Sequence, residues 1–148
     1  MNRLSKMKTI IFLITVTLSV ALFTSCKDDE GGSEHAIVGT WLQVSSSRET
    51  FVNNVSSGIK QITVDATDFI KFTFNSNNTF TSVHSDKGGA ETETGTYSMT
   101  GSKLALTYAK DDIDNFDFEI DGKLKLIFTE ENTANNTRYV TTHLFDRQ

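Results

Sequence analysis

Residues 116–128 read FDFEIDGKLKLIF and decide the fold class of this chain. Apolar residues alternate with acidic ones before the Asp121-Gly122 pair and with lysines after it, which is the period-two pattern of strands that bury one face. An Asp-Gly pair between two such runs is typical of a two-residue type I′ turn, in which both central residues have positive φ. The stretch therefore predicts a β-hairpin with an apolar inner face.

The same alternation continues in both directions, from Ile37 almost to the end of the chain. Residues 75–78 and 100–102 are rich in Asn, Ser and Gly and are predicted to be turns. Short strands with turn signals at this spacing predict an all-β fold, either an antiparallel barrel or a sandwich. Eight strands are predicted, near residues 37–45, 68–75, 79–85, 92–99, 103–109, 115–120, 123–129 and 137–146.

Residues 46–67 form one long stretch without a dependable period. Its scattered apolar residues are compatible with a cover over one barrel mouth, a short helix or an extra strand, and a poorly ordered surface loop explains them as well. Connections of this length are uncommon unless they act as lids or binding loops. We therefore expect any ligand site to border this segment.

The first 26 residues have the order of a secretory signal. Three basic residues lie among the first eight, and an uncharged, mainly apolar run follows over residues 10–23. As a helix this run would reach roughly 21 Å, short of the ~30 Å core of a bilayer. Residues 22–26, LFTSC, resemble the bacterial lipobox, which implies cleavage before Cys26 and its acylation, for example with palmitate. The alternative is a secreted protein with a free cysteine.

Three regions are therefore predicted. Residues 1–25 form a lipoprotein signal peptide, residues 26–35 a lipidated flexible tether, and residues 36–148 the folded domain. The start CKDDE resembles the acidic export signal of surface lipoproteins in some Gram-negative bacteria, and a solvated spacer explains it equally well. Lys27 does not resemble the enteric inner-membrane retention signal, so the predicted location is the outer membrane, at the cell surface or on the periplasmic face.

The processed chain would be strongly acidic. It would hold 123 residues with 11 basic and 19 acidic side chains, a formal net charge of −8. Such a surface argues against a nucleic-acid backbone as a partner. Cys26 is the only cysteine, so its acylation leaves no disulfide and no free thiol, and the fold must be stabilised by apolar burial.

Three short motifs resemble those of lipocalins and related small β-barrels: Gly39-x-Trp41, the hairpin FNSNNTF at residues 74–80, and Gly95-x-Tyr97. Together they are similar to the compact lipocalin-like domain of many bacterial lipoproteins, over roughly residues 36–146. The resemblance implies an eight-stranded antiparallel up-and-down β-barrel. It also implies that Trp41 plugs the closed end of this barrel and that Gly39 lets chain segments approach closely.

Lipocalins also place an arginine after the last strand, against the plugging tryptophan. Arg138 and Arg147 are the arginines in the last part of this chain, and the sequence assigns the role to neither of them. The cation–π contact that the resemblance implies therefore stays open at this point.

The interior of an eight-stranded barrel is either filled by side chains or able to hold one small ligand. The inward residues here are large, so we expect a mostly filled core with a shallow opening near residues 46–67. The residues predicted to face a ligand are Phe51, Phe72, Phe74, Tyr97, Phe116, Phe118 and Phe128.

No enzymatic motif is evident. His35, His84 and His143 are separated by 49 and 59 residues, which excludes a local metal-binding pair. No Gly-x-Ser-x-Gly elbow is present, and no Ser or Thr lies in a recognisable nucleophile motif. We predict no catalytic residue, no cofactor and no enzymatic activity.

An acidic cluster over residues 111–121 invites comparison with a calcium loop. From Asp117 the spacing imitates the first half of an EF-hand, but Phe128 stands where the bidentate Glu of position twelve would be. The outer face and turn of a hairpin explain the same acidic residues fully. No metal site is predicted.

These observations favour a lipid-anchored binding or accessory module of the cell envelope, with a small hydrophobic ligand or the side chain of an envelope protein as its partner. The alternative is a structural or interaction lipoprotein that holds a partner complex without a small ligand.

Overall fold

The computed structural model describes residues 36–148. The predicted signal peptide, the predicted lipid attachment residue Cys26 and the predicted tether lie outside the described residues. Within residues 36–148, no helix is both long enough and apolar enough to cross a membrane.

Nine β-strands make up the described part of the chain. Their bounds are β1 (Gly39–Val52), β2 (Val55–Ile62), β3 (Phe69–Phe74), β4 (Thr79–Asp86), β5 (Gly89–Thr100), β6 (Lys103–Tyr108), β7 (Ile113–Asp121), β8 (Lys123–Asn132) and β9 (Thr137–Arg147).

Eight of these strands close a barrel. From β3 to β9 each strand pairs antiparallel with the next along the chain, and β1 joins β3 to β9. The closure confirms the predicted all-β, eight-stranded antiparallel up-and-down barrel and excludes the sandwich. Alternating strand directions bring the start of β1 to the same end as the β3–β4, β5–β6 and β7–β8 turns, which we call the closed end.

Residues 46–67 contain the extra strand that was one of the open alternatives. β1 continues to Val52, and β2 pairs with residues 46–52 of β1 on the edge that β3 leaves free. The prediction of eight strands was therefore one short. All eight residues of β2 are exposed, so the strand has no buried face and its sequence shows no alternation. We call β2 and the outer half of β1 the β1–β2 extension.

One hairpin turn was not predicted, and another differs in its turn type from the prediction. Asn53 and Asn54, between the paired residues Val52 and Val55, have φ values of 51° and 63°, as a type I′ turn requires. In the Asp121-Gly122 hairpin, by contrast, only Gly122 has positive φ, and Asp121 pairs directly with Lys123. The hairpin is where it was predicted, but the type I′ assignment at Asp121 was wrong.

Aromatic side chains fill the closed end. Phe72, Phe74 and Phe145 are buried, with ring centroids 5.6 Å apart for Phe72–Phe74 and for Phe72–Phe145. The Tyr97 ring meets Phe74 edge to face at 5.1 Å, within the range of favourable aromatic pairs. Its hydroxyl donates to the Asn75 carbonyl at 2.9 Å. This hydrogen bond connects the Gly-x-Tyr motif to the hairpin at residues 74–80.

The Gly-x-Trp motif seals the same end. Trp41 is 1% exposed, and its indole N–H donates to the Ile37 carbonyl at 2.7 Å. The guanidinium carbon of Arg147 lies 4.6 Å from the centre of the indole ring, which identifies Arg147 as the arginine against the tryptophan. Gly39 has a φ of +137°, and a Cβ there would lie 3.0 Å from Nη1 of Arg147. Glycine therefore leaves space for the arginine.

Candidate ligand-binding cavity

The other half of the barrel encloses an open cavity of about 390 Å³. An apolar wall is formed by Phe72, Phe116, Leu126, Phe128 and Phe145. Residues 62–64, the last residue of β2 and the two that follow it, border the opening. The cavity therefore lies beside the segment where the sequence predicted it. Several of its inward positions carry polar side chains that the sequence did not assign to the interior.

A polar wall runs along β1 and β9. Gln43, Ser46 and Arg48 of β1 line the cavity together with Thr141 and His143 of β9. The register pairs Ser46 with His143 and Arg48 with Thr141. Because successive residues of a strand alternate between its faces, these pairs form rungs on the inner surface.

A β-bulge at Val44 creates this wall. Residues 43, 45 and 47 would share the inner face of a regular strand, but the register shifts between Gln43 and Ser45. Val44 turns outward, 43% exposed, so that Gln43 and Ser46 both point inward. A bulge adds one residue to one strand and changes the face of every residue after it. No pattern in the sequence predicted this change of face.

Gln43 fixes the protonation state of His143. Its side-chain oxygen accepts the backbone N–H of Ile70 at 2.9 Å, so its NH₂ group must face Nδ1 of His143, 2.7 Å away. Nδ1 is therefore an acceptor, and a neutral His143 carries its proton on Nε2. Burial lowers the pKa of His143, and the Arg48 and His84 charges lower it further.

The Ser46 hydroxyl lies 3.1 Å from the same nitrogen. This contact has the partners of a Ser–His dyad, but the Nδ1 lone pair already accepts the Gln43 N–H. His143 is thereby kept from acting as a base toward Ser46, since a base must be free to take the hydroxyl proton.

Acidic residues lie on the remaining rim. Asp68, Asp114 and Glu130 line the cavity at separate points. Burial and, second, the Asp114 carboxylate raise the pKa of Tyr108, so this phenol stays protonated across the physiological range. The Tyr108 hydroxyl is consequently a donor, and it donates to the Asp114 carboxylate.

Arg48 is the arginine that lines the cavity. Its Nε–H donates to the Thr141 hydroxyl at 3.1 Å, and its guanidinium carbon lies 5.8 Å from the centre of the Tyr139 ring. Among residues 36–148, no carboxylate lies close enough to form an ion pair with it. Arg48 therefore has no direct ion-pair partner among the described residues, although Asp68, Asp114 and Glu130 line the same cavity.

The structure separates the residues predicted to face a ligand into three groups. Phe72, Phe116 and Phe128 line the cavity. Phe74, Tyr97 and Phe118 belong to the buried core and do not line it. Phe51 lies in the β1–β2 extension, where its ring packs under Arg138 at 4.4 Å. The sequence placed Phe51 in the stretch without a period, whereas the structure places it in β1 beyond the bulge.

The acidic hairpin is paired with lysines. Asp117 lies 2.6 Å from Lys103, and Glu119 lies 3.3 Å from Lys125. Across residues 36–148, the His, Asp and Glu side chains form no group of three that could hold a metal ion. The spacing that imitates an EF-hand therefore belongs to strand β7 and its turn.

His143 is expected to make the folded state less stable as the pH falls. The unfolded chain, with an ordinary histidine pKa of about 6.5, takes up a proton where the folded chain, whose His143 pKa is lowered, does not. The contribution of His143 to stability is therefore complete above about pH 6.5 and is lost between that value and the lower folded-state pKa.

The measurement is urea unfolding of wild type and His143→Gln at a series of pH values. The variant should show a smaller loss of unfolding free energy below about pH 6.5. Equal slopes for the two proteins would contradict the assignment, because the other histidines are present in both.

Comparison with known proteins agrees with this architecture. A family model described as a lipocalin-like domain matches residues 37–126. A lipocalin-like protein from Bacteroides uniformis has a similar structure, with 16% identity and a TM-score of 0.45 over 76% of this chain and 99% of that one. An uncharacterized protein from Bacteroides eggerthii gives 20% identity and a TM-score of 0.42 over 72% and 98%. No significant match was found among curated proteins. With its closed barrel, its Trp41 plug and a family match over most of the folded domain, the chain belongs to the lipocalin-like domain family.

Proposed function

We propose that this protein is a non-enzymatic binding module that holds one small, largely hydrophobic molecule in its barrel. The observation that carries the proposal is a cavity of about 390 Å³ with one apolar wall, above an end sealed by Trp41 and Arg147. A largely preformed, mostly apolar cavity with a few polar groups is typical of small-molecule sites. The occupied Nδ1 of His143 supports a binding role rather than a catalytic one.

A substitution that fills the cavity tests the proposal. Ile70 lines the cavity and is half-buried, so Ile70→Trp would place an indole ring in the space that a ligand needs. We expect the neutral fluorophore N-phenyl-1-naphthylamine to bind wild type and to bind this variant at least tenfold more weakly, a change of about 1.4 kcal/mol.

Val140→Trp is the matched control. Val140 lies between the inward residues Tyr139 and Thr141 of β9, so its side chain is on the outer face. The control should bind the fluorophore like wild type. Equal binding by all three proteins would place the dye elsewhere and count against the cavity as the site.

We further propose that Cys26 anchors the module to the outer membrane through an acyl chain. The lipobox-like LFTSC sequence supports this proposal. Stable anchoring needs more than one acyl chain or a second signal, and a triacylated cysteine would supply it.

Cys26→Ala is expected to release the protein from the membrane without changing the fold. Cell fractionation followed by immunoblotting should move the protein from the membrane pellet to the soluble fraction. Circular dichroism should be unchanged, because the barrel begins at Gly39. A variant that still sediments with outer membranes would refute the anchor.

The exposed β2 strand supports a second candidate, a lipoprotein that holds a partner protein without a small ligand. β2 pairs only with β1, and its Val55 and Ile59 are 69% and 65% exposed. Unpaired strand edges can accept a strand from another chain. Crosslinking in intact envelopes distinguishes this candidate, since a binding module for small molecules would be recovered alone.

A further inference from the structure

We propose that the cavity selects an amphipathic acid, with its apolar body against Phe72, Phe116 and Phe128 and its anionic head group bound by Arg48. The proposal rests on the function proposed above and names the class of ligand. Its basis is the order of side chains along the cavity and the unpaired charge of Arg48.

Arg48 lies nearer the opening than part of the apolar wall. The pair Gln43–Phe145 lies deepest, followed by the rungs Ser46–His143–Leu126, Arg48–Thr141–Phe128 and Thr50–Tyr139–Glu130 toward the β1–β2 extension. Phe145 and Leu126 are therefore deeper than Arg48, and Phe128 shares its rung. A molecule with an apolar body and one anionic end would fit with that end toward the opening.

Arg48 is prepared to bind an anion. Only its Nε–H is used, by Thr141, and the Tyr139 ring lies beside the guanidinium. The two terminal nitrogens have no partner among residues 36–148. A guanidinium presents its donors in a rigid fork that matches a carboxylate, and such charge-assisted bonds are about twice as strong as neutral ones.

The protonation of His143 agrees with an acceptor on the ligand. Because Gln43 donates to Nδ1, a neutral His143 carries its N–H donor on Nε2, and His143 lines the cavity. Tyr108 adds no further donor, since its hydroxyl is hydrogen-bonded to the Asp114 carboxylate.

The acidic residues of the rim would favour a cationic ligand over an anionic one. Glu130 lies two strands from Arg48 and one rung further out, about 12 Å away between backbones at the usual strand spacing and rise. Asp114 lies next to the Tyr108 phenol, and Asp68 lies at the start of β3. A ligand with a cationic head would be selected by these carboxylates, so the test includes one.

The size of the cavity restricts the acid to a small one. About 390 Å³ lies near the lower end of the range for small-molecule sites. This volume suits a single short acyl chain or a ring system and is too small for a phospholipid with two long chains. The expected ligand is therefore a small organic acid.

The experiment displaces N-phenyl-1-naphthylamine from the processed chain, residues 26–148 carrying Cys26→Ala, which has neither the apolar signal run nor an acyl chain. Three competitors share one chain and differ in the head group: decanoate, decan-1-ol and decylamine, at about pH 8, where the acid and the amine are both charged. We expect decanoate to compete at least tenfold better than decanol, and decylamine to compete no better than decanol.

Arg48→Gln should bring decanoate to within about threefold of decanol and leave decanol unchanged, whereas Arg48→Lys should keep part of the preference. Lys103→Gln removes the same charge at the closed end and should keep the full preference. Tightest binding of decylamine, or an equal loss for all competitors in Arg48→Gln, would overturn the proposal. If the dye itself does not bind, the proposed function fails. If dye and decanol bind without a preference for decanoate, only this inference fails.

Discussion

Gly95→Ala is expected to lower the free energy of unfolding by about 3 kcal/mol, at the upper end of the cost of overpacking a core. A Cβ at this position would lie 2.0 Å from the Thr107 carbonyl oxygen and 2.8 Å from Cε1 of Phe80. The first neighbour is backbone of β6, so it cannot turn away as a flexible side chain would.

The shift would spread through the pairing on both sides of β5. Gly95 is paired with Phe80 of β4 and with Tyr108 of β6, whose rings lie 5.2 Å apart. Moving β6 away from β5 would therefore loosen this aromatic pair and the strand hydrogen bonds together. Equilibrium urea unfolding, followed by far-ultraviolet circular dichroism, gives the change in free energy.

Gly88→Ala is the matched control for Gly95→Ala. Gly88 lies in the exposed β4–β5 turn, and its added methyl group would meet only the side chain of Asp86, at 3.0 Å from Oδ1. That carboxylate can move, so the cost should stay below about 1 kcal/mol. Similar losses for the two variants would show that the close approach of β5 and β6 is not what requires Gly95.

Trp41→Ala is expected to cost about 4 kcal/mol, in the range for removing a large buried aromatic residue. The side chain is fully buried, its N–H is bonded to Ile37, and Arg147 lies on its outer face. Its loss leaves a cavity at the closed end, an unpaired carbonyl and an arginine without its aromatic partner. Because Trp41 is the only tryptophan, unfolding must be followed by circular dichroism rather than by indole fluorescence.

Trp41→Phe separates the two contributions. Phenylalanine keeps most of the apolar volume but leaves the Ile37 carbonyl without the indole N–H. We expect a loss of about 1–2 kcal/mol for that hydrogen bond and the smaller ring. A loss as large as that of Trp41→Ala would mean that packing contributes little to the plug.

The sequence was sufficient where alternation was strong. Strands β3 to β9 each carry apolar side chains on one face, and the turns between them contain Asn, Asp or Gly. The closed end was also predictable, since Gly39, Trp41, Gly95 and Tyr97 occur in short motifs that resemble those of lipocalins. The choice of Arg147 over Arg138 required the register of β9, which places residue 147 opposite Trp41.

The cavity was harder to predict because its polar wall depends on one extra residue. Without the bulge at Val44, Ser46 and Arg48 belong to the outer face, where polar residues are ordinary. β2 was missed because both of its faces are exposed. The one available signal was Asn53-Asn54, two residues that tolerate positive φ, between the valines at positions 52 and 55.

Closure of the barrel by β1 and β9 has a consequence for the order of folding. Arg147, which covers Trp41, also donates to the Val38 carbonyl, 109 positions earlier in the chain. The first barrel strand therefore has to wait for the last residues to be synthesised before the ring can close and the plug can form. Contacts of such long sequence separation slow folding. For a chain proposed to cross a membrane before it folds, this delay would be an advantage, because the incomplete chain stays unfolded while it is exported.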